Sequence, residues 1–277
     1  MPELPEVEAA RRAAERAAVG RRIVGVWCAE DPIVLDGVST SRLRRALLGR
    51  RILGVRRHGK HLWLELDRRP WPCVHFGMTG GLFTSAGHRV RLRSSGRRDP
   101  GPTWPPRFTK LRLTLGDGGE LAIADARRLG RIRLRMDPPR EPPVSGLGFD
   151  ALRELPPAPG FRALLGARAA PIKAILLDQS FAAGVGNWVA DEVLYQARID
   201  PRKPARALAA DEVRRLRAKL RSVLATAVRA GADSDRYPRT WLFHRRWERD
   251  APVVRGERIR RDTIGGRTTA WVPARQR

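Results

Sequence analysis

The first residues of the chain could carry covalent chemistry. Removal of Met1 is favoured before a small residue, and it would leave Pro2 as a free secondary amine. An α-amino group has a pKa of about 7.7 to 8.0, so part of it is neutral near pH 7 and can attack an aldehyde-like carbon to give an iminium ion. Glu3 and Glu6 follow as candidate proton donor and acceptor. An alternative stays open, in which Pro2 only begins a helix and the glutamates only favour its dipole.

Two further segments could bind phosphate. Lys60 lies in RRHGKHLWLEL at the start of a strand, although a solvated lysine at a strand end has the same pattern. In AILLDQSFAAGVGNWVADEVL one helix is predicted to end near Asp178, and Asn187 is predicted to cap the next. Exposed amides over 184–187, with Gly186 among them, would receive a phosphate at the positive end of the helix dipole. A dinucleotide fingerprint is excluded, because its third glycine is absent and the preceding segment is helical.

Metal-ligating residue types are sparse. Cys28 and Cys73 are the only cysteines, which excludes a disulfide framework and a four-thiolate zinc site within one chain. The histidines show no spacing with carboxylates or thiols that requires a metal, so we expect them to be structural or to face a nucleic acid. These are His58, His61, His75, His88 and His244.

The charge balance indicates a polyanionic partner. Lys+Arg of 55 against Asp+Glu of 29 gives a formal charge of +26, while 42% hydrophobic residues suffice for ordered cores and exclude a disordered basic tail protein. The acidic start MPELPEVE lacks the basic region of a secretion signal, and no run of 18 apolar residues follows. We expect no membrane association and a reducing, cytoplasmic setting.

Hydrophobic periodicity divides the chain into two parts. A helix is predicted over 5–19, and period-two alternation predicts strands over 22–27, 51–56 and 61–66 and a hairpin over 111–123. Residues 1–136 therefore form a mostly β domain with a leading helix, with an exposed basic loop over 85–107.

The pattern changes after a proline-rich linker over 137–148. A helical stripe runs over 213–227 with Asp211 as a plausible N-cap, and 149–235 is predicted to be helical. Residues 236–277 hold 12 Arg against four acidic residues and are predicted to form a basic hairpin turning near 265–266.

Six motifs, in order along nearly the whole chain, resemble the formamidopyrimidine-DNA glycosylase and endonuclease VIII family. They are PELPEVE, RRHGKHLWLEL, HFGMTG, DARRLG, IKAILLDQSFAAGVGNWVADEVL and GGRTTAWVP. The resemblance implies an α+β fold: an N-terminal β-sandwich with a leading helix, and a C-terminal helix-two-turn-helix domain with a finger hairpin. It also implies a partner, double-stranded DNA that contains damaged bases or abasic sites.

The resemblance assigns roles to the candidate catalytic residues. Pro2 is the implied nucleophile that attacks C1′ of the damaged nucleotide, and Glu3 is the implied acid and base, with Glu6 as a supporting carboxylate. Lys60 would bind a flanking phosphate and assist β-elimination, and Arg267 would clamp phosphate and assist δ-elimination.

Further positions match the DNA-contacting residues of the family. Met78, Arg127 and Leu129 fall where side chains enter the gap left by the extruded base. Asn187, beside Gly186, matches the loop residue that holds the DNA backbone, and Lys110 falls near a DNA-facing position.

The finger departs from many bacterial relatives, which carry two CxxC pairs there. No cysteine lies beyond Cys73, so we expect no zinc and no other cofactor, and a hairpin similar to the zincless finger of plant and fungal relatives. Packing of Trp271, Val272, Ile259 and Ile264 would hold it. The segment 230–241 also looks short for the loop that covers 8-oxoguanine in many bacterial members.

The resulting hypothesis is a bifunctional DNA glycosylase and abasic-site lyase of base-excision repair. We expect a monomer that is cytoplasmic, and associated with the nucleoid in a bacterium or nuclear in a eukaryote. The alternative is a catalytically silent protein that binds damaged or structured DNA. A generic RNA-binding protein fits the charge but leaves the N-terminal motif unexplained.

Overall fold

The computed structural model describes residues 2–86, 103–248, 250 and 252–277. The chain forms two compact units, Met1–Gly146 with Gly231–Ser234, and Leu147–Ala230 with Asp235–Arg277. The division falls inside the segment that the sequence marks as a linker. Most of the predicted basic loop, residues 87–102, lies outside the described residues.

The first unit begins with helix α1, Leu4–Ala18. Val7, Ala10 and Ala14 recur at helical spacing and are buried, which gives the helix one apolar face. Gly20 follows with φ of +84°, a conformation that lets the chain turn away from the helix. A second helix, α2, spans Thr40–Leu47.

Two four-stranded antiparallel sheets form the rest of this unit, in the orders β1-β6-β7-β5 and β2-β3-β4-β8. Alternate residues of both sheets, such as Leu62 and Leu64 in one and Leu111 and Leu113 in the other, share one core with α1. This is the expected β-sandwich. The strands are β1 Ile23–Cys28, β2 Ile52–His58, β3 His61–Leu66, β4 Trp71–His75, β5 Gly81–Thr84, β6 Thr109–Leu115, β7 Glu120–Ala124 and β8 Arg131–Arg135.

The second unit is helical, with a hairpin at its end. Its helices are α3 Ala158–Gly166, α4 Ile172–Leu177, α5 Asn187–Ala197 and α6 Ala210–Arg229. Its strands are the short parallel pair β9 Phe149–Asp150 and β10 Ala182–Ala183, the pair β11 Val253–Val254 and β12 Glu257–Arg258, and the hairpin β13 Arg260–Ile264 with β14 Arg267–Trp271.

The predicted N-cap of α6 is wrong. Asp211 lies within the first turn, because the helix already begins at Ala210. The carboxylate of Glu212 accepts a hydrogen bond of 2.7 Å from the N–H of Ala209 and so closes the first turn. No helix in the described part of the chain is long and apolar enough to cross a membrane.

Candidate functional site

The amino-terminal candidates lie together at the start of α1. Pro2 and Glu3 are buried and directly precede the helix. The Glu6 carboxylate, in the first turn, accepts a hydrogen bond of 3.0 Å from the backbone N–H of Glu3. Pro5 favours the same path, because its ring presets φ for a helical first turn. Local helix geometry therefore fixes the backbone that carries the proposed nucleophile.

Lys60 is presented by the tight turn between β2 and β3. The turn needs Gly59, whose φ is +55°, and Lys60 is only 7% exposed. Arg57 donates a hydrogen bond of 2.8 Å to the carbonyl of Gly59 and another of 2.9 Å to the Glu8 carboxylate on α1. This bridge ties the Lys60 turn to the helix that follows Pro2 and Glu3. Sequence spacing does not reveal this bridge, because Glu8 and Arg57 are 49 residues apart.

Glu8 is the buried anion of that bridge. Burial alone would raise the pKa of its carboxyl group, but hydrogen bonds from Arg11 and Arg57 overcome this and lower the pKa to about 2. Glu8 is therefore ionised at neutral pH. Since Arg11 also donates to the carbonyl of Val55, the helix and strand β2 are joined twice.

Two histidines beside Lys60 stay uncharged at neutral pH. His61 and His75 are cross-strand neighbours whose ring centroids lie 4.7 Å apart. Burial, and to a smaller extent the nearby basic groups, lower the pKa of His61 to about 3 and that of His75 to about 4. His75 uses Nδ1 to accept a hydrogen bond from the N–H of Gly77. Among the described residues, no group of three His, Cys, Asp or Glu side chains could hold a metal ion.

The predicted wedge residues lie on two neighbouring turns of the sandwich. Met78 lies on residues 76–80, the Met78 turn, and Arg127 and Leu129 lie on residues 125–130, the Leu129 turn. Met78 is 36% and Leu129 is 40% exposed, and Arg127 is exposed as well. The turns touch at Gly77, where a Cβ atom would lie 2.4 Å from the carbonyl carbon of Leu129. Glycine is therefore required at this contact.

Asp125 holds both turns, a role that its residue type and sequence position do not reveal. Its buried carboxylate accepts a hydrogen bond of 2.8 Å from the Thr79 hydroxyl of the Met78 turn. It also accepts bonds of 3.1 and 2.6 Å from the N–H groups of Arg127 and Gly130 in the Leu129 turn. The only sequence signal was its place at the head of DARRLG.

Lys110 is engaged within the protein. Its Nζ lies 2.7 Å from Oδ2 of Asp31, and Arg128 binds both oxygens of the same carboxylate. Burial would raise the pKa of Asp31, but the hydrogen bonds from Arg128 and Lys110 lower it well below its usual range. The half-buried Lys110 thus shares a counter-ion, and contact with a DNA phosphate stays a prediction.

In the second unit, Asn187 begins α5 but does not cap it. Gly186 is the N-cap, so the predicted cap was placed one residue late. The side chain of Gln179 organises the preceding loop by donating to the carbonyls of Leu177 and Val185 and accepting from the N–H of Gly184. These bonds shape the 184–187 segment that was predicted to face a phosphate.

Asn187 and Arg267 are brought close by a bond between helix and hairpin. Nδ2 of Asn187 donates a hydrogen bond of 2.9 Å to the carbonyl of Thr268, the residue after Arg267. Arg267 is exposed, and no ion pair engages it within the described residues. Its cation is therefore available to an external anion.

The tip of the hairpin lies against α4. Gly265 and Gly266 both have positive φ, +60° and +69°, as a two-residue turn requires. A Cβ atom at Gly265 would lie 2.9 Å from Cβ of Ala174, whereas one at Gly266 would meet nothing within 4 Å.

Apolar packing holds the hairpin. A buried cluster joins Ile259, Ala270 and Val272 to Tyr195, Leu242 and Val254. Trp271 and Ile264 are also buried. Gln276 clasps the end of the hairpin, accepting from the N–H of Val272 and donating to the carbonyl of Ile199.

Asp191 is a buried centre that joins α5 to its neighbours. It pairs with the buried Lys173 of α4 and with Arg246, and it accepts a hydrogen bond of 3.1 Å from the N–H of Ala270 in β14. The Asp191 carboxylate therefore links α5 to α4 and Arg246 by charge pairing, and to β14 by a backbone hydrogen bond. Sequence spacing could not reveal it, because the partners lie up to 79 residues apart.

Two models of known protein families match this chain. Residues 1–132 match the formamidopyrimidine-DNA glycosylase N-terminal domain, and residues 147–238 match the formamidopyrimidine-DNA glycosylase H2TH domain. The chain belongs to the formamidopyrimidine-DNA glycosylase family. The resemblance of the six motifs and the predicted fold class are thereby confirmed.

Individual members of the glycosylase family are similar to this chain over nearly its whole length. Formamidopyrimidine-DNA glycosylase of Arabidopsis thaliana is 42% identical over 278 residues, which cover 100% of this chain and 71% of that protein. The crystal structure of the MutM (Fpg) protein of Thermus thermophilus is 36% identical with a TM-score of 0.76, covering 99% and 98% of the chains. The Lactococcus lactis glycosylase, bound noncovalently to DNA with an AP site, is 26% identical with a TM-score of 0.77, covering 99% of each.

Proposed function

We propose that this protein is a bifunctional DNA glycosylase and abasic-site lyase of base-excision repair. Its substrate is double-stranded DNA with oxidised bases or abasic sites. The observation that carries the proposal is the buried Pro2 and Glu3 pair at the start of α1, held by Glu6 in a chain of this glycosylase family. The protein acts as a monomer with the DNA it repairs, in the cytoplasm and nucleoid of a bacterium or in a nucleus.

The proposed reaction runs through an iminium ion. The Pro2 nitrogen attacks C1′ and loses its proton, while the bond from C1′ to the base breaks and the departing base takes the electron pair and a proton. Glu3 then protonates O4′, the C1′–O4′ bond breaks, and the nitrogen lone pair forms the C1′=N double bond of the iminium ion. Loss of a C2′ proton then expels the 3′ phosphate, with Lys60 binding a flanking phosphate. A second elimination, assisted by Arg267, expels the 5′ phosphate, and hydrolysis returns the amine.

Oxidised purines with opened or rearranged rings are the proposed bases. Formamidopyrimidines and hydantoins are expected to be better substrates than 8-oxoguanine, because the segment 230–241 is short for the loop that covers 8-oxoguanine in many bacterial members.

Borohydride trapping tests the chemistry. Wild type, Pro2→Gly and Glu3→Gln are each mixed with duplexes that contain an abasic site, a formamidopyrimidine or 8-oxoguanine. We expect a covalent adduct that depends on Pro2, because reduction of the iminium joins C1′ to the amine. Glu3→Gln should lower trapping on the damaged-base duplexes more than on the abasic-site duplex. Glu3 supplies the proton that opens the sugar ring after base loss, whereas an abasic sugar already equilibrates with its open aldehyde.

The intact mass separates this enzyme from a silent binder. Loss of Met1 frees the Pro2 nitrogen, so a mass without Met1 is expected. Protein that has lost Met1 and binds the DNA but gives no adduct with any duplex would instead be a catalytically silent damage binder.

We also propose that the hairpin works without zinc. Two features support this: the apolar cluster around Ile259 and Val272, and the hydrogen bonds of Gln276 to Val272 and Ile199. They hold the hairpin together, as zinc-bound thiolates do in zinc-containing fingers. Metal analysis of active protein should find less than one zinc per chain, and incubation with 1,10-phenanthroline should leave DNA cleavage unchanged. Loss of cleavage that zinc restores would contradict the proposal.

A further inference from the structure

Asp125 lies where the two wedge turns meet. The residue is 3% exposed, and no lysine or arginine forms an ion pair with it within the described residues. Three neutral donors satisfy it instead: the Thr79 hydroxyl and the N–H groups of Arg127 and Gly130. Movement of either turn would leave a buried donor or acceptor without its partner, so these three hydrogen bonds hold both turns.

The position of Asp125 is itself fixed from a third side. Its backbone N–H donates a hydrogen bond of 3.1 Å to the carbonyl of Phe108, at the turn that precedes β6. The contact of Gly77 with the backbone of Leu129 leaves no space between the turns. Displacement of one turn therefore strains the bonds of the other.

We propose that Asp125 is the positioning residue that couples Met78 to Arg127 and Leu129, so that these side chains enter the DNA as one preformed wedge. The inference rests on the proposed function. Asp125 is buried and acts only through the turns. Extruding a base costs a few kcal/mol, and a rigid wedge offsets more of that cost than two independent loops, whose ordering would itself oppose insertion.

The coupling predicts a split between the two activities. A base must be extruded before it is excised, whereas a preformed abasic site has no base to remove from the stack. Loosening the wedge should therefore slow base excision and leave strand cleavage at an abasic site nearly intact. A general loss of folding would lower both.

Two variants loosen the wedge in different ways. Asp125→Asn replaces one acceptor oxygen by an NH2 group that faces a donor, and Thr79→Val removes only the bond to the Met78 turn. Asp150→Asn is the matched control, because Asp150 is equally buried and accepts from the N–H groups of Leu152 and Arg153 in the second unit.

Single-turnover rates are measured on a formamidopyrimidine duplex and on a duplex with a preformed abasic site. We expect both wedge variants to excise the base about tenfold more slowly, with abasic-site cleavage changed less than about twofold. The fluorescence of a 2-aminopurine beside the lesion, which rises on unstacking, should rise more slowly in both. Asp150→Asn should not show the split.

Equal losses on both duplexes with a lowered Tm, or wild-type rates for both variants, would overturn the coupling. Failure of the proposed function looks different, since wild type itself would then process neither duplex. A third outcome separates the wedge from Asp125. If wild type is active and Met78→Ala slows base excision selectively, but Asp125→Asn and Thr79→Val do not, then Met78 acts as a wedge and Asp125 does not position it.

Discussion

Glu8 accepts hydrogen bonds from Arg11, Arg12 and Arg57, and the bond from Arg57 links α1 to the Lys60 turn. Its pKa of about 2 is below the ordinary value of 4.5, so its ionised form is stabilised in the folded protein. Such a group contributes stability that is fully present above about pH 4.5 and lost as pH falls towards 2. The bridge therefore weakens in acid.

Replacing Glu8 by Gln should cost stability at pH 7 and less at pH 3. The shift corresponds to at most about 3 kcal/mol, because one pKa unit is about 1.4 kcal/mol. Urea unfolding of both proteins at the two pH values measures the difference. Glu15→Gln is the control, since this half-exposed partner of Arg11 should contribute less than about 1 kcal/mol. A Glu8→Gln penalty that is equal at both pH values would contradict the assignment.

At the scale of single residues, the sequence predicted the reactive side chains but few of the residues that position them. Pro2, Glu3, Lys60 and Arg267 stood out by motif. The residues that hold the Lys60 turn and the wedge turns did not, because the bonded residues are distant in sequence: Glu8 and Arg57 are 49 residues apart, and Thr79 and Asp125 are 46 apart. Pairing over such separations depends on strand register, which residue types alone do not specify.

The hairpin tip shows how one element is seated on another. Gly265 and Gly266 share a left-handed backbone, but only Gly265 faces Ala174 of α4 at close range. The two glycines therefore separate the cost of backbone strain from the cost of lost contact.

Gly266→Ala should destabilise the protein by about 1 kcal/mol, through backbone strain alone. Gly265→Ala should cost about 2 to 3 kcal/mol, because its methyl group also displaces the hairpin from α4. Thermal unfolding ranks the two variants, and DNA affinity should fall more for Gly265→Ala, since Arg267 follows this turn. Equal effects of the two variants would argue against the seating on α4.

Elements with a clear local period were predictable. Helix α1, strand β3 and the β6–β7 hairpin appear within a residue or two of their predicted places, since alternation or helical spacing shows in a short window. Helix α2 and strands β4, β5 and β8 were missed. β4 contains Pro72, which is rare inside strands and weakens its local signature. β8 alternates arginine with apolar residues, so its period-two signal was present in the sequence and was overlooked.

At the scale of the whole molecule, the formal charge of +26 favours any nucleic acid. Such attraction releases counter-ions from phosphates, and affinity then falls with salt in proportion to the phosphates contacted. The net charge explains why the protein binds nucleic acid in general. The number of cationic side chains that contact phosphates sets the slope of log affinity against log salt.

Arg267→Glu should weaken binding to every DNA sequence and reduce the slope of log affinity against log salt by about 1. Arg206→Glu is the matched control, an exposed arginine of the same unit with the same change in charge and no assigned contact. Fluorescence anisotropy over a salt series gives both slopes. An unchanged slope for Arg267→Glu, or the same change in both variants, would remove Arg267 from the phosphate contacts.

Both thiols of the chain are buried in the sandwich, and burial raises the pKa of Cys73 to about 12. Oxidants attack the thiolate, so a buried thiol with so high a pKa reacts slowly with peroxide. The hairpin contains no cysteine and is held by apolar packing, so oxidation of a thiol cannot unfold it. The enzyme is therefore suited to work while a cell is under oxidative attack, the condition that creates the bases it is proposed to remove.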